Sequence, residues 1–423
     1  MNTRTRTFIG LLAACVGALA PWAGQTQVSP QGDTPPAAPP ALVAPAAPAP
    51  AATPPSPAAF EDAVARAGEK LFADARAVLG DAPRELVVDP LIDAATGAQT
   101  AGTVLMGEQL VAIAAAQQPQ WSVRPLTRAT LGNGPLLLIG TLTAVNTKHA
   151  PTEVADAFRI WLTLVDLKTG RIVAKKLDRA TAASVDAAPT KYFRDSPTWH
   201  KDRTVAAYIN SCQVNSKVGD PIDPAYMMRL PAAALLNEAI IAYGANKLAD
   251  ANRLYREANL VADADDLRVL NGLYLTNWRL GRRQEAAQAF SRIVASGLDA
   301  KQLPLKLLFT PGTTNFLPMA DMTSQYEVWL REISRQFGQR SACLKVVGHT
   351  SRTGSAALND VLSERRASVV AGRLERQTRG LNSRLTSTGV GWRETLIGLG
   401  TDDLRDALDR RVEFRVVDCA PAS

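Results

Sequence analysis

Three short runs near the end of this chain carry the side chains best suited to hold a small charged ligand. Gly348-His349-Thr350-Ser351-Arg352-Thr353-Gly354 sets three hydroxyls after a glycine. Asn359-Asp360-Val361-Leu362-Ser363-Glu364-Arg365-Arg366-Ala367 reads as the basic start of a helix, and Asp409-Arg410-Arg411-Val412-Glu413-Phe414 as a returning strand. A guanidinium is a permanently charged, rigid fork that matches a carboxylate. A helix start also favours an anion. Catalytic patterns are missing: there is no Gly-x-Ser-x-Gly elbow, no phosphate loop and no dinucleotide turn. His149, His200 and His349 have no companion spacing that suits a metal, so no metal and no cofactor are expected,. Gly398-Leu399-Gly400-Thr401-Asp402-Asp403 looks phosphate-friendly, but it precedes no long helix and reads as a loop with an acidic helix cap.

Taken together, the three runs resemble the OmpA-like domain family over nearly all of residues 303–419. That resemblance implies non-covalent binding of the peptidoglycan stem peptide, whose diaminopimelate exposes an ammonium and a carboxylate, and it implies no enzymatic activity. Matched to the family pattern, Arg366 is the arginine of the Ser-x-x-Arg group and would grip the carboxylate. Asn359 and Thr350 would line the pocket, and Arg411 is the basic residue that opens the last strand. Ser351 departs from the pattern, which has aspartate there. A hydroxyl accepts from an ammonium without adding charge, so binding weaker by about 1–2 kcal/mol is expected. Glu364 and Asp360 are candidates to replace that charge.

The elements that must position these residues follow from periodicity. Residues 305–309, 344–348, 387–391 and 411–417 read as strands, and 321–337 and 356–376 as helices, with Tyr326, Leu330, Ile333 and Phe337 on one apolar face,. Cys343 opens one of these strands and Cys419 closes another, so antiparallel neighbours would bring the two sulfurs together in a disulfide. Upstream, Tyr243, Ala251, Tyr255 and Ala258 recur 35 residues later as Trp278, Ala286, Phe290 and Ile293, and Asn246 aligns with Gly281. This resembles tetratricopeptide helices. Two copies rarely stand alone, which predicts packing on a neighbour.

Before these helices, residues 60–79 and 103–117 read as helices, and 86–88, 121–123 and 136–140 as strands. A hairpin of 160–165 and 171–174 turns at Asp166-Leu167-Lys168-Thr169-Gly170,. Element order and hairpin loosely resemble CsgG- and TolB-type envelope modules, a likeness of fold that assigns no site. Residues 186–228 show no periodicity. The N-terminus suggests export: Arg4 and Arg6 precede an apolar stretch from Phe8 to Ala20,. Leu12-Ala13-Ala14-Cys15 resembles a lipobox with Cys15 as the lipidated residue, and ordinary cleavage near 20–24 is the alternative. The proline- and alanine-rich residues that follow read as an extended spacer.

The reading is an α+β multidomain chain. It comprises an export signal (1–24, lipobox at 12–15), a spacer (25–59), an N-terminal α/β domain (60–185), a connector (186–228), a helical-repeat segment (229–299) and a C-terminal OmpA-like β-α-β-α-β-β domain (300–423). It is expected to be exported and to lie in the periplasm or at the outer membrane of a Gram-negative cell, meeting the membrane only through a lipidated N-terminus. The net charge is +7, and residues 301–423 hold 18 Lys/Arg against 13 Asp/Glu. No run of consecutive basic residues marks a nucleic-acid arm. The alternative is an assembly scaffold that recruits envelope proteins through residues 60–299, with a purely structural last domain.

Overall fold

The computed structural model describes residues 55–150, 153–199, 202–213, 215–261, 266–318, 323–377 and 380–419. The expected export signal, Cys15 and most of the spacer lie outside them.

Helix α1 (Phe60–Leu79) buries Phe60, Val64, Ala67, Leu71 and Ala75 along one stripe, and Glu61 and Asp62 favour its positive end,. It is followed by β1 (Arg84–Val88), β2 (Ile92–Asp93), α2 (Ala101–Gln117), β3 (Trp121–Val123), α3 (Arg128–Leu131), β4 (Leu136–Val145), β5 (Ala157–Asp166) and β6 (Arg171–Thr181). The first sheet runs β3-β1-β4-β5-β6, and β2 pairs with β4. Its first strands are parallel, whereas β4, β5 and β6 form an antiparallel meander. The β5–β6 turn closes at Gly170, whose φ of +67° glycine adopts without steric cost,. Phe158, Ile160, Leu162 and Leu164 share a buried core with residues of α1 and α2.

The stretch 186–228, a connector without periodicity in the sequence, folds into helices. It holds α4 (Lys191–Asp195), α5 (Arg203–Cys212) and the start of α6 (Pro224–Gly244). These helices supply Tyr208, Cys212 and Tyr226 to a core with Leu137, Ile139 and Val165 of the first sheet. Helix α6 begins earlier than residue 229 because Asp223 caps it and Pro224 occupies its first turn. Pro231 then lies inside the helix, where it obscures the sequence pattern,.

α6 and α7 (Leu248–Val261) form one antiparallel pair, and α8 (Leu267–Arg279) and α9 (Arg283–Asp299) the next. Asn246 (φ +62°) and Gly281 (φ +76°) take the same left-handed position in the two turns. The helices share a continuous core with the last domain. Tyr274 donates to Gln325 Oε1 (2.6 Å), Trp329 Nε1 donates to the Tyr274 hydroxyl (2.8 Å), and Phe290 stacks on Trp329 at 5.7 Å.

The last domain runs β7 (Gln302–Leu308), α10 (Thr323–Gly338), β8 (Cys343–Gly348), α11 (Ala356–Gln377), β9 (Leu385–Gly389) and β10 (Arg411–Val417), a β-α-β-α-β-β order. Its four strands lie in the order β7-β10-β8-β9. β10 is antiparallel to both β7 and β8, and β8 is parallel to β9. The register pairs Val417 with Cys343, and a disulfide joins Cys343 to Cys419 across a Cα–Cα distance of 5.0 Å. Among the described residues no helix is long and apolar enough to cross a membrane.

One buried acid ties the connector to the first sheet. Asp89 accepts a short hydrogen bond from Tyr226. Burial lifts its pKa to about 6 from the ordinary 3.8, against the opposing pull of Tyr226 and Arg268. The folded state therefore holds this proton more tightly than the unfolded chain, and stability falls as pH rises between those two values. Asp89→Asn should remove that slope: thermal melts should show the variant gaining on the wild type from pH 4 to pH 6. A constant difference across that range would contradict the assignment.

Candidate functional site

Helix α11 lies unusually close to the ends of two strands. A Cβ on Gly348 would sit 1.9 Å from the Ser363 carbonyl, and one on Gly389 2.3 Å from Glu364 N. Only glycine allows this approach, and it sets the start of α11 against the 349–353 turn. Asn359 fastens the two by donating Nδ2 to Thr353 O (2.6 Å) and Ser355 O (3.0 Å). Ser363 Oγ accepts from Gly391 N (2.9 Å) and binds the turn after β9 to the same helix.

Arg366 projects from this helix into the domain and is fully buried. Its Nε donates to Thr313 O (2.9 Å), Nη1 to His349 O (3.0 Å) and Nη2 to Thr310 O (3.1 Å). The Phe309 ring lies 5.1 Å from the guanidinium carbon. Burial, and then the charge of Arg410, push its pKa down to about 10, while Asp402 acts the other way. Arg366 thus knits the loop after β7 to the turn after β8 and presents no open fork.

Ser351 is also buried, but it has an acidic neighbour. Its Oγ donates to Asp402 Oδ1 (2.5 Å), and Thr353 Oγ1 donates to Asp402 Oδ2 (2.6 Å). About a third of the Asp402 side chain remains exposed. Asp402 is held with φ +55° because Asp406 Oδ2 accepts from the backbone N–H groups of Thr401 (2.8 Å) and Asp402 (3.1 Å). The other Asp406 oxygen pairs with buried Arg410 at 2.6 Å, and Arg410 Nη1 reaches Asp402 Oδ1 at 3.4 Å. The expected substitutes for an acid at 351 lie elsewhere: Asp360 pairs with Arg393 (2.8 Å), and Glu364 accepts from Gly389 N (2.6 Å).

The structure therefore gathers Thr350, Ser351, Asn359 and Arg366 at one loop–helix junction. Thr350 Oγ1 is buried there with no hydrogen-bond partner among the described residues. Arg411 is committed to other groups: it pairs with Glu413 (3.0 Å), donates to Glu394 O (3.3 Å) and lies over the Trp199 ring (5.4 Å). Sequence reasoning missed Asp402. The available signal was the Asp406/Arg410 spacing, an acid and a base one turn apart, which anchors the loop that carries it. The glycine loop is filled from within, since Asp409 accepts from Leu396 N (2.6 Å), Ile397 N (2.9 Å) and Gly398 N (2.7 Å).

His349, Glu394 and Glu413 place potential ligand atoms within 4.8 Å of one another. Arg415 bonds both carboxylates and Arg411 shares Glu413, so the cluster is an ion-pair network. Burial raises the Glu413 pKa, but His349, Arg411 and Arg415 outweigh it and hold this carboxyl well below its ordinary range.

A mixed sheet in the order β7-β10-β8-β9, with two helices and a Gly-His-Thr turn facing a Ser-x-x-Arg helix, is an α+β module of OmpA-like class. Residues 308–407 match the model of the OmpA family, and this part of the chain is an OmpA-family domain. No curated protein matches the chain. Among solved structures, the peptidoglycan-associated lipoprotein from Burkholderia pseudomallei is 19% identical with a TM-score of 0.24, covering 28% of this chain and 91% of that one. The periplasmic domain of Helicobacter pylori MotB is 19% identical with a TM-score of 0.23, covering 27% and 74%. The OmpA-like domain of FopA1 from Francisella tularensis subsp. tularensis SCHU S4 is 22% identical with a TM-score of 0.22, covering 28% and 75%.

The close approach at Gly348 is testable. Gly348→Ala drives a methyl into helix backbone that cannot move aside, and it should lower stability by about 3 kcal/mol or more in urea unfolding. A loss under about 1 kcal/mol would mean that α11 does not rest on β8 in this way.

Proposed function

We propose that this chain is a non-catalytic cell-envelope protein that associates with peptidoglycan through its OmpA-family domain. The observation that carries the reading is the gathering of Thr350, Ser351, Asn359 and Arg366 inside the matched segment, beside the part-exposed Asp402 carboxylate. On this reading Asp402 replaces the charge that serine lacks at 351. It receives the ammonium of a diaminopimelate-containing stem peptide, and Ser351 and Thr353 orient it. A carboxylate has about four acceptor positions. Two hydroxyls and the longer Arg410 contact leave room for one more donor on the exposed side. Arg366 holds the loops and supplies positive potential for the ligand's carboxylate. Export to the periplasm or outer membrane, with Cys15 as a lipid anchor, belongs to the same proposal.

A second reading has its own support. Arg366 is buried against three carbonyls and Arg411 is spent on Glu413, which suits a purely structural domain in a scaffold that binds envelope proteins through residues 60–299. Sedimentation with purified peptidoglycan separates the two. Asp402→Asn should weaken retention by roughly tenfold, the effect of replacing a charge-assisted bond by a neutral one. Ser351→Asp alone should also weaken it, because two carboxylates would meet within hydrogen-bond distance. The exchange Ser351→Asp/Asp402→Ser should recover it. Wild-type protein that does not sediment, or Asp402→Asn that sediments like wild type, would leave the scaffold reading standing.

A further inference from the structure

An unmatched pair of positive charges lies away from the loop–helix junction. In the β5–β6 ladder Arg159 stands directly opposite Arg179. Like charges facing each other across an antiparallel pair are destabilising. Both side chains are half-buried, and the Nε of each is buried with no hydrogen-bond partner among the described residues. Burial, and then the charge of Arg179, push the Arg159 pKa down.

The nearby acids are already engaged. Asp178 pairs with Arg66 (2.7 Å), Asp156 accepts from Thr147 N (2.7 Å) and Oγ1 (2.5 Å), and Glu153 pairs with Lys148 (3.3 Å). No carboxylate among the described residues forms an ion pair with Arg159 or Arg179.

The two guanidiniums line a cleft of about 450 Å³ between the first sheet and the last domain. Arg352, Asn146 and Thr395 line it as well, as does Glu153, whose carboxylate pairs with Lys148. Its walls are joined where Arg352 Nη1 donates to Glu153 O (2.7 Å) and Ala155 N donates to Gly398 O (2.9 Å). A cleft of this size is in the range that takes a small molecule.

We propose that the cleft binds a phosphate-class dianion, held by Arg159 and Arg179 with Arg352 at its edge. Two adjacent guanidiniums leave two positive charges to be met, which a dianion matches and a single carboxylate does not. The planar forks suit phosphate oxygens, with two parallel N–H···O bonds each. Because the charges are recessed between two walls, the ligand is a soluble phosphate or small phosphomonoester rather than a bilayer surface.

The test is calorimetric titration of the folded chain with inorganic phosphate and with glycerol phosphate. Acetate is the monoanion control, and cosedimentation with phosphatidic acid vesicles is the membrane arm. Saturable phosphate binding that weakens tenfold or more in both Arg159→Gln and Arg179→Gln supports the site. Each variant removes one of two opposed charges, so neither should melt below wild type in phosphate-free buffer. Phosphate should raise the wild-type melting temperature and leave both variants nearly unmoved, as expected for a ligand that binds only the folded state. Absence of saturable binding, equal affinity in the variants, or binding confined to vesicles would overturn the proposal.

Discussion

A buried guanidinium without a carboxylate must find its hydrogen bonds among carbonyls, and that requirement at Arg366 organises the last domain. An unpaired charge inside a protein is costly unless its donors are met. Here Thr310, Thr313 and His349 meet them, and those three residues come from two loops that no strand pairing would otherwise join. The helix that carries Arg366 reaches this position because Gly348 and Gly389 have no side chains. Loop positions, helix height and strand ends thus depend on one another.

The loop before β10 shows how charge is distributed around that centre. Asp402, Asp406 and Asp409, three of the four acids in residues 402–409, have three different duties. Asp409 takes backbone N–H groups of the 396–398 turn and Asp406 takes Arg410, while Asp402 meets two hydroxyls and stays partly open to solvent. Serine at 351 is compatible with this arrangement because its hydroxyl can donate to Asp402, where a second carboxylate would repel it.

The last domain is also not an independent appendage. Its α10 shares aromatic packing with the repeat helices through Trp329, Phe290 and Tyr274. The turn that carries Ser351 continues into Arg352, which bonds to the backbone of the β4–β5 loop in the first α/β region. Whatever binds at the loop–helix junction or in the arginine cleft therefore acts on a structure whose parts are mechanically connected.

Local pattern determined much of this protein. The apolar period of residues 60–79, the turn ending at Gly170, the repeat that equates Asn246 with Gly281, and the Gly-His-Thr and Ser-x-x-Arg runs all act over a few residues and were legible in the chain. The helices of 186–228 were not, because burial of Tyr208 and Tyr226 depends on a sheet far away in sequence. Only the tertiary structure decided that Asp402 rather than Asp360 or Glu364 stands beside Ser351, that Arg411 is spent on Glu413, and that Arg159 faces Arg179. A side chain's type states what it can bond to. Which partner it meets across 51 residues, as Ser351 meets Asp402, depends on how helices and strands pack, and no local rule contains that distance.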